Sequence, residues 1–285
     1  DWSQINFNGN TLTLQCARLN KIVGPETFNG SLLLLPKSCR LTEFTLEGIS
    51  NIQGDFQCKD YSYVKEFVMP FIRVAGDMTI ALNSGSVNTA AEIEFPKLQE
   101  IGGTLTLGSN SNANNIAFPS LKKILGSCSV TTTDLKNDIE FTNLESIGTD
   151  GADEQIKFEI EATNILCPKL KTINGKFDIA TSSFMFGMEV DKVSYPNVES
   201  ISENLSITCP YSDFGSNGIL SIDFSGLKSV KGISISGQGD VTDFSSFKYL
   251  FENNVLTGES QWSVKECGYN PTFQEMKDGK YKLAE

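Results

Sequence analysis

The residues able to do chemistry in this 285-residue chain are carboxylates, thiols and aromatic rings, because the sequence contains no histidine. Without an imidazole, Ser-His-Asp and Cys-His nucleophile systems cannot be assembled from this chain alone. No glycine-rich phosphate loop stands between a strand and a helix. What remains for catalysis is a pair of carboxylates, the arrangement that cleaves glycosidic bonds. Glu92, Glu94, Asp138, Glu140 and Asp223 recur just before an aromatic position and are the candidates for an acidic stripe. Acids on an exposed strand face are ordinarily solvated, and nothing in the sequence buries these enough to raise a pKa. Asp150-Gly151-Ala152-Asp153-Glu154 is rich in oxygen ligands. It lacks the alternating ligand spacing of a calcium loop and reads as a polar hairpin tip.

The seven cysteines are Cys16, Cys39, Cys58, Cys128, Cys167, Cys209 and Cys267. No two are spaced as C-x-x-C, and with no histidine a zinc site is not expected; no metal or cofactor is implied. Cys58, Cys128 and Cys167 fall where the repeat described below places inward apolar residues, so they read as buried free thiols acting as small hydrophobes. Cys16 and Cys39 lie in the N-terminal region, where a disulfide would be most useful. An odd count fits an anaerobic habitat better than an oxidising surface.

Aromatic residues in insertions are the better binding candidates. Phe184 and Phe186, Tyr211 and Phe214 occupy two successive insertions, and Tyr61 and Tyr63 an earlier one. Exposed aromatics on loops often anchor partners. The formal net charge is −12, from 35 acidic and 23 basic residues. Such a chain repels phosphate backbones, so nucleic acid is not an expected partner.

The elements that position these residues are repeated. Phe95-Pro96-Lys97-Leu98 leads to Ile101, Gly103, Leu105 and Leu107, and the pattern returns at Phe118-Pro119, Phe141-Thr142, Cys167-Pro168, Tyr195-Pro196 and Phe224-Ser225. The anchor position is Ile49, Ile72, Leu98, Leu121, Leu144, Leu170, Val198 and Leu227, at steps of 23 to 29 residues. That period is a solenoid signature, in which one coil cannot bury its own apolar face and must stack on its neighbours. Within a coil, Ile93 and Phe95 alternate with Glu92 and Glu94, and Leu105 and Leu107 with Thr104 and Thr106. Period-2 alternation predicts short strands with one buried face. Proline predicts one corner and Gly103 a second, where the backbone is left-handed or crowded. The fold class is therefore mainly β, a right-handed parallel β-solenoid.

Residues 1–45 read as an N-terminal cap with irregular first coils, and residues 46–253 as the repeat solenoid. Asp243 with Phe244, Phe247, Leu250 and Phe251 predicts a short capping helix with an N-cap. Residues 254–285 read as an irregular tail, packed back in part and frayed at its end. The outward row after the glycine corner is small and polar. A Thr-x-Thr spacing of the kind seen in ice-binding solenoids occurs in that row at Thr11/Thr13 and Thr104/Thr106, too rarely for a threonine ladder. No apolar run is long enough to span a membrane, the longest being Leu32 to Leu35.

The F-P-x-L-x-x-I-x-G-x-L-x-I repeat over roughly residues 46–236 resembles the receptor L domain group of leucine-rich-repeat-like β-solenoids. That group includes the ligand-binding domains of insulin- and epidermal-growth-factor-type receptors and fungal wall proteins of the sporulation-specific type. The ending, Trp262 through Gly268-Tyr269-Asn270-Pro271-Thr272-Phe273 to Tyr281, is similar to that of leucine-rich-repeat surface proteins of gut Bacteroides. The resemblance implies a non-enzymatic recognition or adhesion module at a bacterial cell surface. It implies a protein or carbohydrate partner and lipid anchoring to the outer membrane through an acylated cysteine ahead of Asp1. The competing readings are a carboxylate-dependent carbohydrate-active enzyme on a β-helix and a structural spacer of a larger surface protein.

Overall fold

The computed structural model describes residues 10–14, 21–34, 43–59, 66–81, 91–108, 113–131, 138–152, 154–160, 164–181, 192–208, 219–237 and 239–284. Over these residues the chain is a parallel β-solenoid with about seven turns. Each regular coil lays one short strand into each of three parallel sheets. The long sheet has eleven strands, from Thr11–Leu14 to Trp262–Lys265. The second sheet has seven, ending at Ile165–Leu166, and the third has eight, from Thr27–Phe28 to Ser200–Ile201. A separate pair, Lys192–Ser194 with Ser221–Asp223, follows the second sheet in the last coils.

The period-2 pattern sets the register. In the long sheet Phe56, Met78, Leu105, Cys128, Ile156 and Phe177 stand side by side on consecutive strands, all inward. Gln57, Thr79, Thr106, Ser129, Lys157 and Asp178 form the adjacent outward row. A one-residue slip would exchange these rows, so burial of the apolar one fixes the stack.

The proline corner carries an internal aromatic ladder. Strand Ala91–Glu94 ends immediately before Phe95-Pro96, where proline has no N–H to give. Phe95, Phe118, Phe141, Cys167, Tyr195 and Phe224 are all buried there. The anchor residue closes the corner by donating its N–H to the carbonyl of the corner residue: Leu98 to Phe95, Leu121 to Phe118, Leu144 to Phe141 and Leu170 to Cys167. At the far end the Phe247 ring stacks on Phe224 at 6.0 Å and 18°. Phe247, Leu250 and Phe251, on a short 3-10 turn and helix α1 (Lys248–Glu252), close the core as the spacing predicted. The Asp243 carboxylate accepts the Ser245 N–H at 2.7 Å, at the start of that segment.

The glycine corner is crowded rather than left-handed at Gly54, Gly76, Gly103 and Gly126, whereas Gly148 (φ 84°) and Gly175 (φ 153°) have positive φ. Gly54, Gly76, Gly103 and Gly126 stack through N–H to carbonyl bonds of 2.9–3.0 Å. A Cβ on Gly103 would fall 2.8 Å from the Gly76 carbonyl carbon.

Three expectations are corrected. Ile72 is not an anchor: it is 38 % exposed, and Phe71, fully enclosed, takes the inward place. The residue missing from that coil is lost from the proline corner itself, so counting from Pro70 lands one position late. Second, the repeat does not begin near Leu46. Thr11–Leu14 and Ser31–Leu34 already pair in register in the long sheet. Third, the segment after 254 is not irregular. Trp262–Lys265 pairs with Gly232–Ser236 as the last strand of the long sheet, and helix α2 (Phe273–Lys277) carries a Thr272/Glu275 capping box. The signal was present in sequence, since Trp262 and Val264 alternate with Ser263 and Lys265, 29 residues after Ile233 and Ile235.

Candidate functional site

The outward row nearest the glycine corner is already committed to holding the stack. The Ser31 hydroxyl accepts the Asp55 N–H at 2.9 Å. Asp55 Oδ1 accepts the Asp77 N–H at 2.9 Å, and Asp77 Oδ1 accepts the Thr104 N–H at 2.7 Å. Ser127 continues the series to Gln155 at 3.1 Å. These acids and hydroxyls look like surface chemistry in the sequence. In the fold they hydrogen-bond main-chain N–H groups across coils. The proline corner has the reciprocal device: Ser120 and Asn197 donate to the carbonyls of Pro96 and Pro168, at 2.6 and 2.8 Å.

Charges on the long sheet face one another. Lys176 pairs with Asp178 at 2.8 Å, and Lys157 pairs with Glu159 on its own strand. The Lys157 hydrogen bond holds the Glu159 carboxyl below its ordinary value, aided by the Thr131 hydroxyl at 2.7 Å. The Glu154 carboxylate accepts from the Ser127 hydroxyl at 2.6 Å, so this end of the proposed polar hairpin tip is tied to the preceding coil. Asp153 lies outside the described residues.

The acidic stripe is broken. Glu92 stands beside Asn115 on the next strand, and Glu94 beside Ala117. Ala117 is followed by Glu140 and then Leu166. The Asp138 carboxylate accepts the Asn164 N–H at 2.7 Å, and Asp223 accepts the Ser225 N–H at 3.0 Å. The five acids are therefore spread over the second sheet and the pair that follows it, interrupted by amide and apolar positions; Asp138 bridges to the next coil and Asp223 closes a local turn. Among the described residues no group of three or more Cys, Asp and Glu side chains could hold a metal ion.

The thiols at Cys128 and Cys167 are free and buried, and Cys58 and Cys267 are buried as well. Burial pushes the Cys128 and Cys167 thiols far up, which removes the thiolate needed for nucleophilic work. Burial does the same to the Tyr195 phenol, whose hydroxyl donates to the Ile165 carbonyl at 3.1 Å. Cys16, Cys39 and Cys209 lie outside the described residues, and so does a Cys16–Cys39 disulfide.

Phe184, Phe186, Tyr211 and Phe214, with Tyr61 and Tyr63, also lie outside the described residues. The strand ends that bracket two of their segments are described. Gly175–Thr181 lies beside Asn204–Thr208 in the long sheet, with the Thr181 hydroxyl 3.4 Å from the Thr208 carbonyl. Lys192–Ser194 lies beside Ser221–Asp223 where the chain re-enters the stack. Segments 182–191 and 209–218 thus leave and rejoin the solenoid at adjacent strands of neighbouring coils.

No family model, curated protein or solved structure matches this chain. No described helix is long and apolar enough to cross a membrane.

Proposed function

We propose that this chain is a non-enzymatic recognition or adhesion module of leucine-rich-repeat, receptor L domain type, acting at a cell surface on a protein or glycan partner. The observation that carries this reading is the position of the two long aromatic insertions. Both begin at neighbouring strand ends of the long sheet and finish at neighbouring strand ends of the pair that follows the second sheet. Phe184, Phe186, Tyr211 and Phe214 are in this reading displayed from one edge of a rigid scaffold, and scaffold-borne loops are where binding residues concentrate. Lipid anchoring at an outer membrane belongs to the same reading.

The interruption of the acidic row supports binding over a carboxylate-dependent enzyme, which needs two carboxylates flanking one bond. The test is a glycan and protein binding array with the purified chain, repeated with all four aromatics replaced by Ser. Binding that is lost in a variant with unchanged thermal unfolding supports the reading. Unchanged binding by that variant moves the site elsewhere. No binding by the parent chain favours the structural spacer.

A further inference from the structure

The second sheet is stitched at its proline corner by one repeated hydrogen bond. The N–H of the corner residue crosses to a carbonyl of the next coil: Met69 to Glu94, Phe95 to Ala117, Phe118 to Glu140 and Phe141 to Leu166, at 2.9–3.2 Å. The next member, Cys167 to Ser194, is missing, and strands Ile165–Leu166 and Lys192–Ser194 do not pair. The series resumes at Tyr195, whose N–H reaches the Asp223 carbonyl at 2.8 Å. Across the same two coils the other sheets are intact. Phe177, Asp178, Ile179 and Ala180 pair with Leu205, Ser206, Ile207 and Thr208, and Thr172 and Ile173 pair with Ser200 and Ile201.

The seam therefore splits one wall of three. A side chain bridges it where backbone would otherwise do so. The Tyr195 hydroxyl donates to the Ile165 carbonyl at 3.1 Å from a fully buried position. The corner residue at the seam is also the small one. Cys167 leaves the Phe-on-Phe stack interrupted, and its exposure is 5 %, against 0 % for Phe95, Phe118 and Phe141. The Tyr195 ring fills part of the space, packing edge-on against Phe177 at 5.6 Å.

We propose that this seam is where the native solenoid opens: the second wall parts between Leu166 and Lys192, the two intact walls act as the hinge, the Tyr195 hydroxyl is the latch, and opening uncovers the Cys167 thiol. Local opening follows the weakest cooperative contact, and a wall without backbone rungs is weaker than its neighbours. Cys58 and Cys128 are internal references, since each sits on a long-sheet strand paired on both sides.

The experiment is native-state alkylation of the reduced full chain with N-ethylmaleimide, read cysteine by cysteine by peptide mass spectrometry. The expected result is Cys167 labelling at least about tenfold faster than Cys58 and Cys128 without denaturant, as sub-global opening requires. Tyr195→Phe removes one hydrogen bond and should speed Cys167 labelling by roughly five- to tenfold, leaving both references unchanged. Cys167 labelling at the reference rate, with the same denaturant dependence, would mean it is reached only by global unfolding and would overturn the proposal. Should Tyr195→Phe fail to fold, amide hydrogen exchange on the parent chain decides. The Cys167 amide must exchange faster than those of Phe95, Phe118 and Phe141, and equal protection sinks the idea.

Discussion

The rings of Phe95 and Phe118 lie 5.0 Å apart, with their planes 2° from parallel. Phe118 and Phe141 repeat the arrangement at 5.1 Å and 12°. The spacing is that of adjacent strands, so the ladder is the sheet repeat expressed in side chains. Phe118 has a ring on either side and no solvent contact. Phe118→Ala should therefore cost ~3–5 kcal/mol of unfolding free energy, the range for a large-to-small change that leaves a cavity. Denaturant unfolding measures it, and a loss below about 1 kcal/mol would contradict core placement.

Gly103→Ala should be destabilising although the substitution is small. The new Cβ would meet the Gly76 carbonyl carbon at 2.8 Å and Asp77 Oδ1 at 2.2 Å. Neither can move cheaply, because one is main chain and the other holds the Thr104 N–H. A cost of ~1–3 kcal/mol is expected for such overpacking. Gly239→Ala, with no atom within 4 Å of its Cβ, is the control and should stay within about 0.5 kcal/mol.

Asp77 separates charge from hydrogen bonding. Asp77→Asn keeps an oxygen acceptor for Thr104 and should leave the melting temperature nearly unchanged. Asp77→Ala leaves that N–H to water and should cost ~0.5–1.5 kcal/mol, the usual net value of one hydrogen bond. Equal losses from both substitutions would show that the carboxylate charge, not the acceptor, matters.

What the sequence makes legible here follows from periodicity. Inward rows such as Phe56, Met78 and Leu105 alternate with polar residues and cannot face outward without exposing the core, so they can be read directly. Ile72 could not be placed this way. Met69, Pro70, Phe71 and Ile72 offer three candidates for burial around a proline, and a missing corner residue decides between the last two. Asp55 and Asp77, in the polar row after the glycine corner, are legible as outward residues but not as main-chain acceptors. That role depends on a neighbour 22 to 27 residues away in sequence. The seam at Cys167 left one trace, a cysteine where the repeat has phenylalanine. The trace is ambiguous alone, because Cys58 and Cys128 also replace large apolar residues, on strands that pair on both sides.

The column following the anchors tests whether charge order contributes to register. Lys122, Glu145, Lys171, Glu199 and Lys228 do lie on consecutive coils. From Glu145 on, each backbone N–H donates to the carbonyl of the preceding member, at 2.8–3.0 Å. Lys228 Nζ and Glu199 Oε2 meet at 2.8 Å. That hydrogen bond, with the attraction between the charges, holds the Glu199 carboxyl below 4.5 and the Lys228 ammonium above 10.5. The carboxylate's contribution is thus full above its unfolded value and fades as pH falls through the depressed folded one. The ammonium's contribution is full below its unfolded value and fades as pH rises through the raised folded one, so both persist across neutral pH. Both side chains are exposed, so the pair is small and screened by salt. A reversal is more informative than a deletion. Glu145→Lys would set three positive side chains on consecutive coils, with like charges about 4.8 Å apart along the stack. The melting temperature should fall more than for Glu145→Gln at low salt. The difference should shrink near 1 M salt, where the Debye length is about 3 Å. Equal melting temperatures for the two variants at low salt would show that the alternation contributes nothing to the stack.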